Sequence, residues 1–310
     1  MQQNVTISQA IQLATQYLQN KQFQQSWSIC QKILQHEPQN QQVHWILNNI
    51  KNIKSADLYP KELEDNFKKM VSKYCKYISA QGFNYSINIS NKYNYMFVET
   101  PKVACSTIKV TLQRMELETT ELFNKRNIHK REFSPLIKPS QVGNFDKFLN
   151  RKKLFKFCFV RNPYTRLLSA YLEKIKLGKN QKRSILLHMG KYPYNLNTEI
   201  SFSEFVHVVC EQSIISMDNH WRIQYYQTFQ DHINYDFCGK LENFDQDIKT
   251  VLSKINKNYS KYMLSRRTHS TEANNLLEQY YCPELIKKVQ EKYAKDFEYF
   301  DYSFEFRDAF

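Results

Sequence analysis

The stretch that decides the fold is Tyr95-Met96-Phe97-Val98-Glu99-Thr100-Pro101-Lys102-Val103-Ala104-Cys105-Ser106-Thr107-Ile108-Lys109. Its first five residues read as a buried strand, and a helix is expected from about Ser106 to Leu117. Between them lies a short loop of small residues. A strand that feeds a helix through such a loop leaves backbone N–H groups free at a helix N-terminus, where they form a cradle for an anion. Ser106 and Thr107 can add hydroxyl donors, and Lys102 brings a point charge.

Working outward, the pattern repeats. A strand over Leu154 to Val160 leads to a helix over Tyr164 to Leu177, and one over Tyr235 to Lys240 leads to a helix over Asn243 to Ile255. Strands alternating with helices predict an α/β fold with a central, mainly parallel sheet of four or five strands. Ligands of such sheets sit at the carboxyl ends of the strands, so chemistry is expected in the loops after Val98 and Val160. The second loop reads Phe159-Val160-Arg161-Asn162-Pro163-Tyr164-Thr165-Arg166-Leu167-Leu168-Ser169-Ala170-Tyr171. Arg161 stands at the strand end and Ser169 about two helical turns on, so a guanidinium fork and a hydroxyl can converge on one more phosphate. Pro163 suits the first position of a helix.

Other loop chemistries fail on spacing. A Walker A loop requires GxxxxGK[ST], but the five glycines are at 82, 143, 178, 190 and 239. A cysteine phosphatase needs an arginine six positions after Cys105, where Thr111 stands. Dinucleotide fingerprints need glycine as well. Cys105 therefore reads as a small loop filler.

Composition sets the frame. The 310 residues, 42% hydrophobic and 15% aromatic, suit one packed α/β domain with a smaller appendage. The formal charge of +14 suits an anionic ligand or surface without choosing one. Seven cysteines at 30, 75, 105, 158, 210, 238 and 282 form no CxxC pair and read as reduced thiols. With no signal-like N-terminus and no apolar run of about 18 residues, a cytoplasmic protein without a membrane span is expected.

The first 42 residues hold 14 glutamines and mark a separate module. Ala14, Tyr17, Ser26, Cys30, Ile33 and Pro38 have the spacing of one tetratricopeptide (TPR) unit, with helices near 7–19 and 23–36 and a third near 41–52. The hairpin (1–55) either docks on the main domain or binds a protein partner. A linker helix is expected within 56–92, and the catalytic domain over 93–310.

PKVACSTIK resembles the 5′-phosphosulfate loop of sulfotransferases that use 3′-phosphoadenosine 5′-phosphosulfate (PAPS), and FVRNPYTRLLSAY resembles their 3′-phosphate segment. The likeness is to the Golgi carbohydrate sulfotransferases acting on chondroitin and dermatan. Asp218-Asn219-His220-Trp221, the run Tyr235 to Asn243, and Tyr293-Ala294-Lys295-Asp296-Phe297-Glu298-Tyr299-Phe300 extend it in the correct order over about 93–303. The departures are the absent membrane anchor and the TPR-like start. The resemblance implies a P-loop-NTPase-like sulfotransferase fold and sulfuryl transfer from PAPS to a hydroxyl, here of a glycan. It also implies Lys102 at the sulfuryl group, Ala104, Cys105, Ser106 and Thr107 at the 5′-phosphate, and Arg161 and Ser169 at the 3′-phosphate.

A histidine is expected as base for the acceptor hydroxyl. His129, between the two phosphate motifs, is favoured by the resemblance, with His220 as rival. Lys109 either assists or is an exposed helix lysine, Arg166 reads as structural, and Arg266 and Arg267 could close over the cofactor. No metal is required, since no His/Cys/Asp cluster has ligand spacing. Two other functions fit less well: a P-loop-like kinase or hydrolase with Glu99 or Glu242 on Mg²⁺, and a TPR-type adaptor or nucleic-acid-binding protein. The dispersed Lys and Arg argue against nucleic acid.

Overall fold

The computed structural model describes residues 6–19, 22–52, 61–120, 128–131, 134–178, 180–191, 195–264 and 273–309. Three helices open the chain: α1 (Ile7–Gln19), α2 (Phe23–His36) and α3 (Gln41–Asn52). They share an apolar cluster of their own, built on Ala14, Trp27, Cys30, Ile33, Val43, Ile46 and Leu47. Ala14 and Ser26 let α1 and α2 approach closely enough for the Ser26 hydroxyl to donate to the Ala14 carbonyl at 2.6 Å. These spans follow the apolar spacing that predicted them.

Helices α4 (Lys61–Tyr74) and α5 (Ala80–Ser86) lead into a four-stranded sheet of order β1-β2-β3-β4. Strand β1 (Ile87–Ser90) runs antiparallel to β2 (Tyr95–Val98), while β3 (Phe155–Val160) and β4 (Phe237–Lys240) continue in parallel. The sheet is therefore mainly parallel, as expected. Its edge strand falls inside the stretch read as linker, upstream of residue 93. Ile87-Asn88-Ile89-Ser90 is only four residues long and buried on both faces, so it shows no alternation for the eye to catch. Gly239 in β4 is fixed by packing: any Cβ there would meet the ring of Phe159, its neighbour in register, at 2.4 Å.

Helix α6 (Cys105–Leu117) follows β2, α7 (Phe145–Leu149) precedes β3, and α8 (Pro163–Ala170) follows it, extended by a π-turn over Tyr171–Lys176. Helices α9 (Lys182–His188), α10 (Phe202–Glu211) and α11 (Gln224–Gln227) precede β4, and α12 (Phe244–Ile255) follows it. The chain ends in α13 (Ala273–Tyr280), α14 (Pro283–Lys292) and α15 (Ala294–Tyr299). One apolar cluster joins α8, α10, α13 and α14; another joins β2 and β3 to α6 and α12. Among the described residues no helix is long and apolar enough to cross a membrane. Arg266 and Arg267 lie outside the described residues.

Candidate active site

The loop after β2 makes its cradle without glycine. Lys102 (φ 71°) and Ala104 (φ 49°) both adopt the left-handed backbone conformation that glycine enters most readily. Holding ordinary residues there costs on the order of 1–3 kcal/mol each, and such strain concentrates at functional sites. Ala104 is the N-cap of α6 and offers no side-chain cap, and the first turn holds no acidic residue. The amides that open α6 are left for another acceptor. Ser106 is exposed at this mouth, and Thr107 and Cys105 are partly covered. Burial pushes the Cys105 thiol up to about 11, so it stays protonated and fills space.

The loop after β3 is tied to this cradle. Arg161, 6% exposed, donates from Nη1 to the Lys102 carbonyl at 3.4 Å, and Thr165 Oγ1 holds its Nε at 2.9 Å. Asn162 caps α8 by accepting from Tyr164 N at 3.0 Å, with Pro163 following it. Gln224 grips the Arg161 backbone twice, accepting from its N–H at 2.9 Å and donating to its carbonyl at 2.7 Å. Buried Asp296 accepts in turn from Gln224 N and Tyr225 N, both at 2.8 Å. Ser169 is buried further along α8. The structure thus brings Lys102 and Arg161 to one place, although 59 residues separate them.

Arg166 is structural, as the sequence suggested, and its partners are backbone carbonyls. Wholly buried, it donates to the carbonyls of Pro101 (3.2 Å), Arg222 (2.7 Å) and Asn219 (3.0 Å). One guanidinium therefore joins the residue before Lys102 to both sides of His220. Trp221, fully buried against Phe205 with Nε1 donating to Gln212, anchors the same turn.

Both candidate histidines are at this site, in different circumstances. His220 Nδ1 is 2.6 Å from Asp218 Oδ1, which also accepts the His220 N–H at 2.9 Å. The carboxylate fixes the tautomer and leaves Nε2 as the second ring nitrogen. Burial works to raise Asp218, but the bond to His220 outweighs it and holds the carboxyl low. His129 Nε2 is bonded to Ser106 Oγ at 2.8 Å. Burial lowers its pKa, and the cationic charges of Lys109 and Lys174 lower it further against the pull of Glu99.

Lys109 is not the exposed helix lysine that was one expectation. It is completely buried on α6, its ammonium 2.6 Å from the equally buried Glu99 and 4.8 Å from the centre of the Tyr85 ring. The two acidic residues considered for Mg²⁺ are both engaged: Glu99 by Lys109, and Glu242 by Asn162 N (2.8 Å) and Tyr302 OH (2.9 Å). Four contributors escaped the sequence reading. Thr165 aims Arg161, Gln224 with Asp296 fixes its backbone, and Glu173 pairs with the Lys102 ammonium. Asp296 lay in a motif already quoted, so a signal for it existed; none linked Glu173 to Lys102, 71 residues away.

Comparison with known proteins agrees with this geometry. Carbohydrate sulfotransferase 14 of Danio rerio is 25% identical over 231 residues, covering 70% of this chain and 62% of that protein. The Homo sapiens protein of the same name is 25% identical over 230 residues, with 70% and 60% covered. Carbohydrate sulfotransferase 12 of Mus musculus is 27% identical over 209 residues, with 54% and 48% covered. The chain spans about three fifths of the length of the first two relatives. No solved structure matches it significantly. The profile of the sulfotransferase family matches residues 85–303, well over half of the sequence, from the helix before β1 to the turn after α15. With the Arg161 guanidinium meeting the Lys102 carbonyl inside that match, the chain belongs to the sulfotransferase family.

Proposed function

We propose that this protein transfers a sulfuryl group from PAPS to a hydroxyl of a carbohydrate. The observation that carries the reading is the contact of the Arg161 guanidinium with the Lys102 carbonyl, which brings two cationic strand ends together. Resemblance of the relatives, named as carbohydrate sulfotransferases, supports the glycan acceptor. The residues present fit a doubly phosphorylated nucleotide: uncapped amides at α6, a lysine at one end and an arginine at the other. The strand-loop-helix arrangement supports a P-loop-NTPase-like fold whose glycines are replaced by Lys102 and Ala104.

When bound, PAPS supplies an activated sulfuryl group, and transfer leaves adenosine 3′,5′-bisphosphate and a sulfate ester. The acceptor oxygen forms its bond to sulfur as the bond from sulfur to the phosphate oxygen breaks. Lys102 neutralises charge developing on that leaving oxygen. Amides from Ala104 to Thr107, including that of Cys105, hold the 5′-phosphate with the Ser106 and Thr107 hydroxyls. Arg161 and Ser169 hold the 3′-phosphate. The proton of the acceptor hydroxyl goes to an imidazole. His220 is the better base, because Asp218 orients it and stabilises the imidazolium that forms, whereas His129 is occupied with Ser106. Helices α1 and α2 remain, on their spacing, one TPR-like unit, which α3 follows.

Turnover of labelled PAPS with a panel of oligosaccharide acceptors tests the reading. Lys102→Ala and Arg161→Ala should each lose at least about 10²-fold in turnover, the scale of one lost charge-stabilising group, while the fold survives. Full activity in either variant would remove the basis of the assignment.

A further inference from the structure

A carboxylate stands where an anion is to bind. The Lys102 side chain is 7% exposed and its ammonium is paired with Glu173 Oε2, while Lys174 Nζ holds Glu173 Oε1 at 2.6 Å. Glu173 is carried by the π-turn that extends α8, an irregularity frequent at functional sites. The transfer chemistry derived above has no use for this carboxylate. It is unfit as a base. Burial works to raise its pKa, but the bonds from Lys102 and Lys174 outweigh burial and take it down to about 2, far from any working pH.

Its position relative to Lys102 suggests another task. Burial strips charge from an isolated lysine, and the Lys102 pKa is lowered by desolvation even with Glu173 pulling against it. A counter-ion keeps the ammonium charged and in place while the site is empty. The same carboxylate repels the oxygens of any phosphosulfate that comes to Lys102. We propose that Glu173 is a positioning counter-ion: it holds Lys102 in the free enzyme, yields it to the incoming phosphosulfate, and recaptures it to expel the product nucleotide. This rests on the sulfotransferase reading above. The exchange lowers affinity for donor and product alike, which favours release after transfer.

Adenosine 3′,5′-bisphosphate binding, measured by calorimetry at fixed ionic strength, gives the test. Glu173→Gln, an isosteric change on a half-exposed side chain, should bind the nucleotide about tenfold tighter, equivalent to about 1.4 kcal/mol. The kcat should fall together with the KM for PAPS, and a pre-steady-state burst should mark slow product release. Glu173→Asp keeps the charge and should bind no tighter than wild type. A merely structural role predicts the opposite, with Glu173→Gln weakening binding and raising KM. Unchanged or weaker binding in Glu173→Gln overturns the proposal and leaves the sulfotransferase reading standing. A wild-type protein that binds no adenosine 3′,5′-bisphosphate overturns that reading, and this inference with it.

Discussion

Removing the carboxylate behind His220 should cripple turnover without touching nucleotide binding, and the structure sets the scale. Asp218 Oδ1 accepts from the His220 ring and from its backbone N–H, at 2.6 and 2.9 Å. Asp218→Asn keeps an oxygen for both bonds and loses only the charge that stabilises an imidazolium. A hydrogen bond to a charged group contributes about 1.5–3 kcal/mol against about 1 for a neutral one. The difference of roughly 0.5–2 kcal/mol corresponds to about a two- to thirtyfold loss in kcat. Asp218→Ala removes tautomer and orientation as well, so its loss should approach the roughly 10²–10⁴-fold that a general base contributes. His220→Ala should fall in the same range, and the double variant should add little, because the pair acts as a unit. The assay is single-turnover transfer from labelled PAPS, with adenosine 3′,5′-bisphosphate affinity as the control, since the proposed nucleotide site is built on Lys102 and Arg161. Full turnover in Asp218→Ala, or a larger loss in His129→Ala at unchanged nucleotide affinity, would refute the argument.

Two further outcomes follow from groups around the site. Glu99→Gln should destabilise the protein by about 3–5 kcal/mol, because it strands the Lys109 charge in a fully buried site; the double variant Glu99→Leu, Lys109→Met should recover most of this in urea unfolding. Burial raises Asp296 to about 6, against its bonds from Gln224 and Tyr225. The folded state therefore holds this proton more tightly than the unfolded chain, so stability from this group is present in acid and lost as pH rises from about 4 to about 6, where the unfolded carboxyl has already ionised. Thermal melts across that window should show the fall in wild type and a flatter profile in Asp296→Asn.

How much of this was legible is best seen in particular residues. Strands β2, β3 and β4 lay within two residues of their expected positions because each is an apolar run closed by a loop and followed by helical spacing. Strand β1 was missed because four residues buried on both faces carry no periodic signal. Lys109 was open to misreading because α6 is buried almost all round, from Ile108 to Met115, and a lysine on such a helix has no exposed face to occupy. Arg166 was passed over because its partners are backbone carbonyls, which every residue possesses and no sequence pattern advertises.

The sequence by itself determined the local chemistry: amides and hydroxyls at one helix N-terminus, an arginine at the next strand end, and two histidines to choose between. Spacing along the chain suffices for these, because a loop and its following helix are built from neighbouring residues. Only the tertiary structure decided what each group faces. Parallel strands are joined through long crossovers, so Lys102 meets Arg161 across 59 residues and Glu173 across 71, and Arg166 reaches Pro101 across 65. Those meetings turn a lysine into a paired lysine, and they depend on sheet register and burial, which no local spacing encodes.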